Sequence, residues 1–520
     1  MNTDLEVYDT TLRDGSQGEG VNLSLADKLH LAQVLDWLGV AWIEGGWPMS
    51  NEKDKAFFRD VRGLGLKTAK ISAFGSTRHF KNAPQDDPNL LALVAAQADA
   101  TCIFGKTWDL HVREALRVGL DDNLAMIGSS VDYLVKTTGK PVFYDAEHFF
   151  DGYKANPEYA LSTLEAAHAA GASRLVLCDT NGGTLPEQIV AALAALRARL
   201  PTAPFGIHVH NDGGLAVANT LAAVNAGCIQ VQGTINGVGE RCGNVDLCVV
   251  IANAELKMGR KCLPAGHLLR LTEASRAVWE RINLVGPVNQ PYVGRSAFAH
   301  KGGIHVSAVQ RNALTYEHVT PESVGNERRI LISELAGRSN VQAKLSARFP
   351  MLSDPALQKA VLDEIVEKEN RGFSFEAADG SFELLVRRHL GNWTPSFKLH
   401  HYRVHGLGTD SSDHLVEGTV KIEVAGENRL KVAEGHGPVD ALNHALHEAL
   451  LPNFPQLSDL HLTDYKVRVV DSKAGTAAQV RVLIEHQFKG RTFGTVGVSE
   501  NVIEASWDAL VEGVECALQG

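Results

Sequence analysis

Eight short apolar segments recur through the first half of the chain, and each is followed by polar or glycine residues. Between them apolar residues fall at helical spacing, as they do after Ser24, a candidate N-cap. Such alternation predicts a parallel sheet covered by helices, and eight units favour a closed (β/α)₈ TIM barrel over an open doubly wound sheet. The expected strands lie near Leu5–Tyr8, Ala41–Glu44, Thr68–Ala73, Ala100–Phe104, Pro141–Tyr144, Arg174–Cys178, Phe205–His210 and Ile229–Thr234.

The strand–helix rhythm ends near residue 275, and a chain of 520 residues is too long for one typical domain. We expect the α/β barrel over residues 1–274, mixed linker subdomains with a mobile loop over 275–395, and a separate α+β domain over 396–520. A helix is expected near Pro355–Glu369 of the middle region. In the last region the expected strands are Val416–Val424, Lys466–Val470 and Gln479–Glu485, and the expected helices are Val439–Leu450 and Ile503–Leu518.

The overall composition is that of a soluble globular protein, with a formal net charge of −11. An acidic balance argues against general binding of nucleic acids, which requires basic surfaces. The sequence shows neither a secretory signal pattern nor an apolar run long enough to span a membrane, so a cytoplasmic location is expected. Seven cysteines without a Cys-x-x-Cys pair fit reduced thiols, and a nucleophilic cysteine is not expected.

Two histidines stand one residue apart at the end of the expected seventh strand. His208 and His210 project from the same face of a strand, since successive side chains alternate. Asp14, after the first strand, adds a carboxylate at the same end of a barrel. This donor set suits Mn²⁺, Zn²⁺ or Mg²⁺. The alternative is a pair of hydrogen-bonded core histidines, which would be favoured if the pair stood alone.

Further polar side chains follow other expected strands. Arg13 can present paired N–H groups to an oxyanion, Glu147 is a candidate base or proton relay, and Thr180 is a candidate hydroxyl for a carboxylate. Each alone has an ordinary structural explanation as a turn, cap or solvated residue. The glycine-rich loop Gly237–Gly243 lacks the Gly-x-Gly-x-x-Gly spacing of a dinucleotide site and is interpreted as a loop that shapes the pocket.

Three motifs carry a resemblance to a known family. The motifs resemble the signatures of the DRE-TIM metallolyase superfamily, in the same order and spacing, and they are Thr11–Gln17, His208–Asp212 and Asn236–Asn244. Within it the chain is similar to the acyl-CoA-dependent 2-oxo acid condensing enzymes, the family of 2-isopropylmalate and homocitrate synthases. The similarity runs over essentially the whole chain, and residues 396–520 resemble the amino-acid-binding regulatory domain of these synthases. Gly45–Phe58 and Arg295–His305 most resemble members that use pyruvate.

The resemblance implies a Claisen-type condensation of acetyl-CoA, the co-substrate, with a 2-oxo acid. It assigns the metal to Asp14, His208 and His210, with Asn244 close by. The metal would act as a Lewis acid on the keto group of the 2-oxo acid.

The resemblance also implies roles for residues around the metal. Arg13 would stabilise the developing oxyanion, Thr180 would hold the substrate carboxylate, and Gln17 would contribute to substrate binding. Glu147, through water or His305, would remove the methyl proton of acetyl-CoA.

The loop with the last of these residues departs from the family pattern. Relatives commonly carry His-x-Asp there, whereas His305 is followed by Val306-Ser307. His300 is a competing candidate for the proton relay, and both histidines have a structural alternative.

Pyruvate is the leading acceptor, which would give citramalate and CoA for isoleucine biosynthesis. The resemblance further implies isoleucine as a feedback ligand and a homodimer. Three alternatives remain open: a 2-isopropylmalate synthase that takes 2-oxoisovalerate, a lyase that cleaves a C–C bond in the same barrel, and a non-catalytic amino-acid sensor that uses residues 396–520 alone. The size of the pocket discriminates only weakly between pyruvate and 2-oxoisovalerate, because one methyl group changes the binding free energy by about 1–3 kcal/mol.

Overall fold

The structure, a computed structural model, describes residues 4–331, 354–407, 415–470 and 478–519. The described residues form two compact units. The first runs to Phe298 and includes Val319–Glu327, and the second holds Ala299–His318 and the described residues from Arg328 onward. The three-domain division expected from the sequence stays a proposal.

The first unit contains a closed barrel of eight parallel strands in the order β1 to β8, with β1 paired to both β2 and β8. The predicted TIM barrel is therefore confirmed, and the open sheet is excluded. Every expected strand overlaps an observed one. The strands are β1 Glu6–Asp9, β2 Trp42–Gly46, β3 Lys70–Ser76, β4 Ala100–Lys106, β5 Val142–Glu147, β6 Arg174–Asp179, β7 Phe205–Val209 and β8 Gln230–Gly233.

Helices connect the strands. The expected N-cap of the first helix is confirmed: the Ser24 hydroxyl accepts from the N–H of Asp27 at 3.1 Å, and the Asp27 carboxylate accepts from the N–H of Ser24 at 3.0 Å. The longer helices of this unit are α1 Leu25–Leu38, α2 Glu52–Asp60, α3 Pro88–Ala96, α4 Leu120–Thr138, α5 Phe149–Ala155, α6 Pro157–Ala169, α7 Pro186–Arg199, α8 Ala216–Asn225, α9 Leu247–Met258 and α10 Leu271–Arg281.

Strand alternation separates two cores. Ile207 and Val209 of β7 are buried in the large cluster that packs the barrel against its helices. A second buried cluster includes Tyr8 and Phe143, whose rings meet edge to face at 5.7 Å. The opposite face of β7 is therefore left for His208, as the alternation predicted.

The second unit contains two three-stranded antiparallel sheets and further helices. The expected strands and helices of the last region overlap observed elements, and the helix near Pro355–Glu369 is confirmed. The elements are β9 Ala299–His300, α11 Gly303–Arg311, β10 Arg329–Ile330, α12 Pro355–Asn370, α13 Asp379–His389, β11 Lys398–Leu407, β12 Leu415–Val424, β13 Glu427–Gly435, α14 Pro438–Leu450, β14 Leu460–Val469, β15 Val480–Phe488, β16 Arg491–Ser499 and α15 Val502–Gln519. Sequence reasoning missed five of these strands, β9, β10, β11, β13 and β16, and two of the helices, α11 and α13.

Strand β16 was missed because its sequence is rich in glycine, which ordinary strands avoid. A Cβ at Gly494 would lie 1.8 Å from the carbonyl oxygen of Ala377, and one at Gly497 would lie 2.0 Å from that of Ala505. Close approach of neighbouring backbone therefore requires these glycines. Among the residues that the structure describes, no helix is long and apolar enough to cross a membrane.

Candidate metal centre and substrate pocket

Asp14, His208 and His210 meet at the carboxyl end of the barrel. The Nε2 atom of His208 lies 3.2 Å from Oδ2 of Asp14, and the Nε2 atom of His210 lies 3.9 Å from the same oxygen. The two Nε2 atoms are 3.3 Å apart. All three side chains are buried, and within the described ranges they form the one group of three such donors close enough to share a metal ion.

Backbone geometry brings these donors together from opposite ends of the first unit's sequence. His208 is the last residue but one of β7, and the backbone of His210 forms an isolated bridge with Asn244 after β8. Asp14 lies in the turn after β1, where its N–H donates to the carbonyl oxygen of Thr10 at 2.9 Å. Closure of the sheet between β1 and β8 therefore makes neighbours of residues about two hundred positions apart.

A buried amide orients His208. The Nε2 of Gln232 donates to the Asp145 carboxylate at 3.0 Å, which turns its Oε1 toward Nδ1 of His208 at 3.0 Å. Nδ1 then carries a hydrogen, so Nε2, the nitrogen that faces Asp14, is the one that would bind a metal. Sequence reasoning missed Gln232, although the β7–β8 register places it directly beside His208.

The charges of the cluster favour an ionised carboxylate. Burial alone would raise the pKa of Asp14, but the guanidinium of Arg13 and the imidazole of His208 outweigh it and lower that pKa well below its usual range. Burial and the neighbouring His208 lower the pKa of His210 to about 4, so this imidazole is neutral at pH 7. An anionic oxygen and a neutral nitrogen are the forms in which these groups bind metals.

Arg13 is held rigidly beside the cluster. Its Nε donates to Oε2 of Glu44 at 2.5 Å, and the other oxygen of Glu44 accepts from the hydroxyl of Tyr8 at 2.8 Å. The guanidinium lies 3.7 Å above the centre of the Phe74 ring, and its Nη1 is 3.4 Å from Oδ2 of Asp14. The position of this cation is thus fixed by contacts on several sides.

The donor set fits a divalent cation. Three donor atoms of mixed oxygen and nitrogen type converge, as sites for Zn²⁺ or Mn²⁺ require. Nδ1 of His210 and Oδ1 of Asn244 are buried without a hydrogen-bond partner among the described atoms. Asn244 thus lies next to the cluster with an oxygen available, consistent with the expectation from the family resemblance.

A pocket of about 280 Å³ opens above the cluster. It gathers every predicted site residue of the first unit apart from Asn244. Gln17 is an exposed residue at its edge, while Glu147 and Thr180 line it from β5 and from the loop after β6. The lining predicted from sequence comprises Arg13, Asp14, Gln17, Glu147, Thr180, His208 and His210.

Glu147 has a partner that sequence reasoning missed. The ammonium of Lys106, at the end of β4, forms an ion pair with its carboxylate, and both side chains are about one-fifth exposed. A lysine after an apolar strand carries no distinctive pattern, so only the β4–β5 register, which pairs Lys106 with Glu147, could have indicated this contact.

The two histidines considered for the proton relay both belong to the second unit. His300 lies 3.1 Å from the buried carboxylate of Glu317, which Arg328 also binds. The expectation that His305 lies on a loop is wrong: it is exposed in the helix α11 and stacks on Tyr316, with ring centres 4.2 Å apart. A role for His305 in proton transfer stays a prediction.

The comparisons identify the class of protein. Residues 4–278 match the HMGL-like family model, residues 292–370 match the homocitrate synthase post-HMGL domain-like model, and residues 376–518 match the LeuA allosteric (dimerisation) domain. The barrel with its donor cluster is thus that of an HMGL-like protein, in agreement with the resemblance found in the motifs.

Curated relatives narrow the class. The chain is 51% identical to the (R)-citramalate synthase of Geobacter sulfurreducens, over 99% of this chain and 97% of the relative, and 51% identical to that of Aquifex aeolicus, over 98% and 96%. It is 32% identical to a probable 2-isopropylmalate synthase of Methanopyrus kandleri, over 98% and 97%. The chain belongs to the family of (R)-citramalate synthases.

Proposed function

We propose that this chain condenses acetyl-CoA with pyruvate and water to give citramalate and CoA. The observation that carries the proposal is the cluster of Asp14, His208 and His210 beside the fixed guanidinium of Arg13 at the carboxyl end of the barrel. The near full-length identity to (R)-citramalate synthases supports it. Feedback by isoleucine and assembly as a homodimer belong to the same proposal, and the match to a LeuA allosteric (dimerisation) domain supports both.

Asp14, His208 and His210, with Asn244 close by, would hold a divalent cation that polarises the keto group of pyruvate as a Lewis acid. Mn²⁺, Mg²⁺ and Zn²⁺ all remain compatible with the donor set. Arg13 offers its remaining N–H groups to the oxygen on which negative charge develops, and its rigid contacts with Glu44 mean that little reorganisation is needed.

Proton transfer falls to Glu147. Its carboxylate takes a proton from the methyl group of acetyl-CoA, and the resulting carbanion attacks the keto carbon of pyruvate. The keto oxygen becomes an alkoxide, which takes the proton back from the Glu147 carboxyl group and forms the hydroxyl of the product. Water then cleaves the C–S bond of the thioester and releases CoA. Thr180 binds the carboxylate of pyruvate through its hydroxyl.

A second pocket of about 550 Å³ provides room for the acyl-CoA arm. It shares Trp47 and Phe104 with the pocket above the donor cluster, and Lys106 lines it. Because Lys106 pairs with Glu147, the ion pair stands where the two pockets adjoin. A thioester that enters through the second pocket would therefore bring its methyl group toward the carboxylate that accepts the proton.

Three aromatic side chains line the pocket for the acceptor. Phe74 and Phe104 stack with ring centres 5.5 Å apart, and Trp47 meets both edge to face at 5.9 and 5.8 Å. All three line the pocket beside Arg13. These packed rings form one wall of the space for the 2-oxo acid. The choice of pyruvate over the bulkier 2-oxoisovalerate is supported by the 51% identity to (R)-citramalate synthases, against 32% to a probable 2-isopropylmalate synthase.

The test is release of free thiol from acetyl-CoA by the full-length protein with a panel of 2-oxo acids, with and without a chelator. We expect turnover with pyruvate that the chelator abolishes and added Mn²⁺ restores. A preference for 2-oxoisovalerate would refute the choice of acceptor. No turnover with any 2-oxo acid would refute the condensation and favour the sensor alternative, whereas cleavage of a C–C bond in a hydroxyacyl-CoA would favour the lyase.

A further inference from the structure

The backbone and side chain of Thr180 are held from two sides. The N–H of His148 donates to its Oγ1 at 2.9 Å, and Nη2 of Arg241 donates to its carbonyl oxygen at 2.7 Å. Because Oγ1 accepts the bond from His148, its own hydrogen remains available as a donor to an acceptor in the pocket. Thr180 is thus placed by residues from the loops after β5 and β8.

Arg241 is itself fixed by Asp212, from the loop after β7. Its Nε donates to Oδ1 at 2.9 Å and its Nη2 to Oδ2 at 3.0 Å, a bidentate ion pair. The backbone of Arg241 is left-handed, with φ of +55°, which an arginine adopts only when its surroundings require it. One guanidinium therefore connects the ends of β6, β7 and β8.

The loops after β6 and β7 also touch directly. Gly182 has φ of +61°, and a Cβ there would lie 2.7 Å from both the carbonyl oxygen of His210 and the N–H nitrogen of Asp212. The N–H of Gly213 donates to the carbonyl oxygen of Gly182 at 2.9 Å. The loop that carries Thr180 is thus in contact with the segment that carries a donor of the metal cluster.

We propose that Arg241 and Asp212 are positioning residues that set the distance between the Thr180 hydroxyl and the donor cluster, and so determine the affinity for the carboxylate of the 2-oxo acid. The inference rests on the proposed function, in which Thr180 binds that carboxylate. An ordinary exposed ion pair would contribute little to stability or activity. This pair differs because its guanidinium also binds the backbone of a residue in the substrate pocket.

The position of a carboxylate donor affects the ground state and the transition state alike, so its disturbance should raise KM and leave kcat nearly unchanged. Lysine keeps the charge of Arg241 but cannot make the fork of bonds to Asp212 and Thr180. We expect Arg241→Lys to raise KM for pyruvate about tenfold, since small misplacements of binding groups have effects of this order or larger. KM for acetyl-CoA and kcat should stay within about twofold of the wild type.

A matched control lies at the opposite end of β6. Arg174 also binds a carboxylate through two bonds, from Nε to Oε2 of Glu6 at 3.1 Å and from Nη2 to Oε1 at 2.7 Å, remote from the pocket. Arg174→Lys makes the same chemical change, and we expect pyruvate KM to remain at the wild-type value. Melting temperatures of both variants separate lost affinity from lost folding.

Double variants test whether the effect passes through Thr180. We expect Thr180→Ala to raise KM for pyruvate, and Arg241→Lys in that background to change it by less than about twofold. Asp212→Asn is the second variant and should act in the same direction as Arg241→Lys.

Three results would overturn the inference or its basis. If Thr180→Ala raises KM for pyruvate but Arg241→Lys and Asp212→Asn do not, the positioning role is wrong while the proposed function stands. Independent, multiplicative effects of Arg241→Lys and Thr180→Ala would likewise refute action through Thr180. If Thr180→Ala leaves KM for pyruvate unchanged, Thr180 does not bind the carboxylate of pyruvate, and the positioning role of Arg241 and Asp212 loses its basis.

Discussion

The amide of Gln232 offers the sharpest test of the metal assignment, because it acts on the cluster without being a ligand. It accepts from Nδ1 of His208 at 3.0 Å and donates to Asp145 at 3.0 Å. The substitution Gln232→Met keeps the length of the side chain and removes both bonds. His208 can then rotate or adopt the other tautomer, which turns a protonated nitrogen toward the metal site.

Loss of such an orienting partner weakens metal binding about 10- to 100-fold. This corresponds to about 1.4–2.7 kcal/mol of binding free energy. Asp145 loses one donor in a buried place, so the free energy of unfolding should also fall by about 1–3 kcal/mol. The barrel should still fold, since the strands and their apolar faces are unchanged.

The assay is titration of Mn²⁺ into chelator-treated, full-length protein, with free Mn²⁺ measured by electron paramagnetic resonance. Gln230→Met is the matched control, because Gln230 is equally buried two residues earlier on β8 and donates to Glu6 at 3.2 Å instead. We expect the wild type and Gln230→Met to bind alike. Equal affinities of the Gln232→Met and Gln230→Met variants would refute the view that this amide orients a metal ligand.

Three further predictions follow from single contacts. His208→Ala should abolish Mn²⁺ binding at micromolar concentrations while the melting temperature stays near that of the wild type; retained binding would contradict the ligand assignment. Lys106→Met removes the partner of Glu147 and should lower kcat about tenfold with little change in KM for pyruvate, as steady-state kinetics will show. Burial lowers the pKa of His486 to about 4. Below about pH 6.5, the imidazole therefore binds a proton in the unfolded chain but stays neutral in the folded protein. The free energy of unfolding should fall by up to about 1.4 kcal/mol per pH unit as the pH drops toward 4. Thermal melts from pH 7 to 4 should therefore show a smaller decline for His486→Gln, and identical declines would refute this source of the pH dependence.

The barrel could be predicted because its signal is local and repeated. Each strand is a short apolar run, and polar side chains follow at its carboxyl end. Asp14, His208 and His210 could therefore be identified without knowledge of the residues that surround them in the fold. The second unit was harder. Gly494 of β16 packs against the backbone of Ala377, which is distant in sequence, and Gly497 packs against the backbone of Ala505 in the helix that follows. The sequence of the strand itself gives no sign of these contacts.

The partners of the site residues were missed for a related reason. Lys106 and Gln232 act through residues on neighbouring strands, and the sequence around them carries no distinctive motif. Arg241 lies within the motif Asn236–Asn244, but its contacts with Asp212 and Thr180 join separate loops. The polar residues that follow the strands thus include the candidate metal ligands but not all of the side chains that orient the site residues. Finding the orienting groups requires the pairing register of the closed sheet.

That register explains why the donor geometry is a property of the barrel as a whole. His208 stands beside Gln232 because β7 and β8 pair in one register, and a slip of one residue would bring Val231 or Gly233 to that place and turn the amide to the other face of the strand. Beyond the paired strands, an isolated bridge joins His210 to Asn244. The apolar alternation that buries β7 against the helices therefore also determines which ring nitrogen of His208 carries the hydrogen. In variants that loosen the pairing of β7 with β8, the stability of the barrel and the affinity for the metal should decline together.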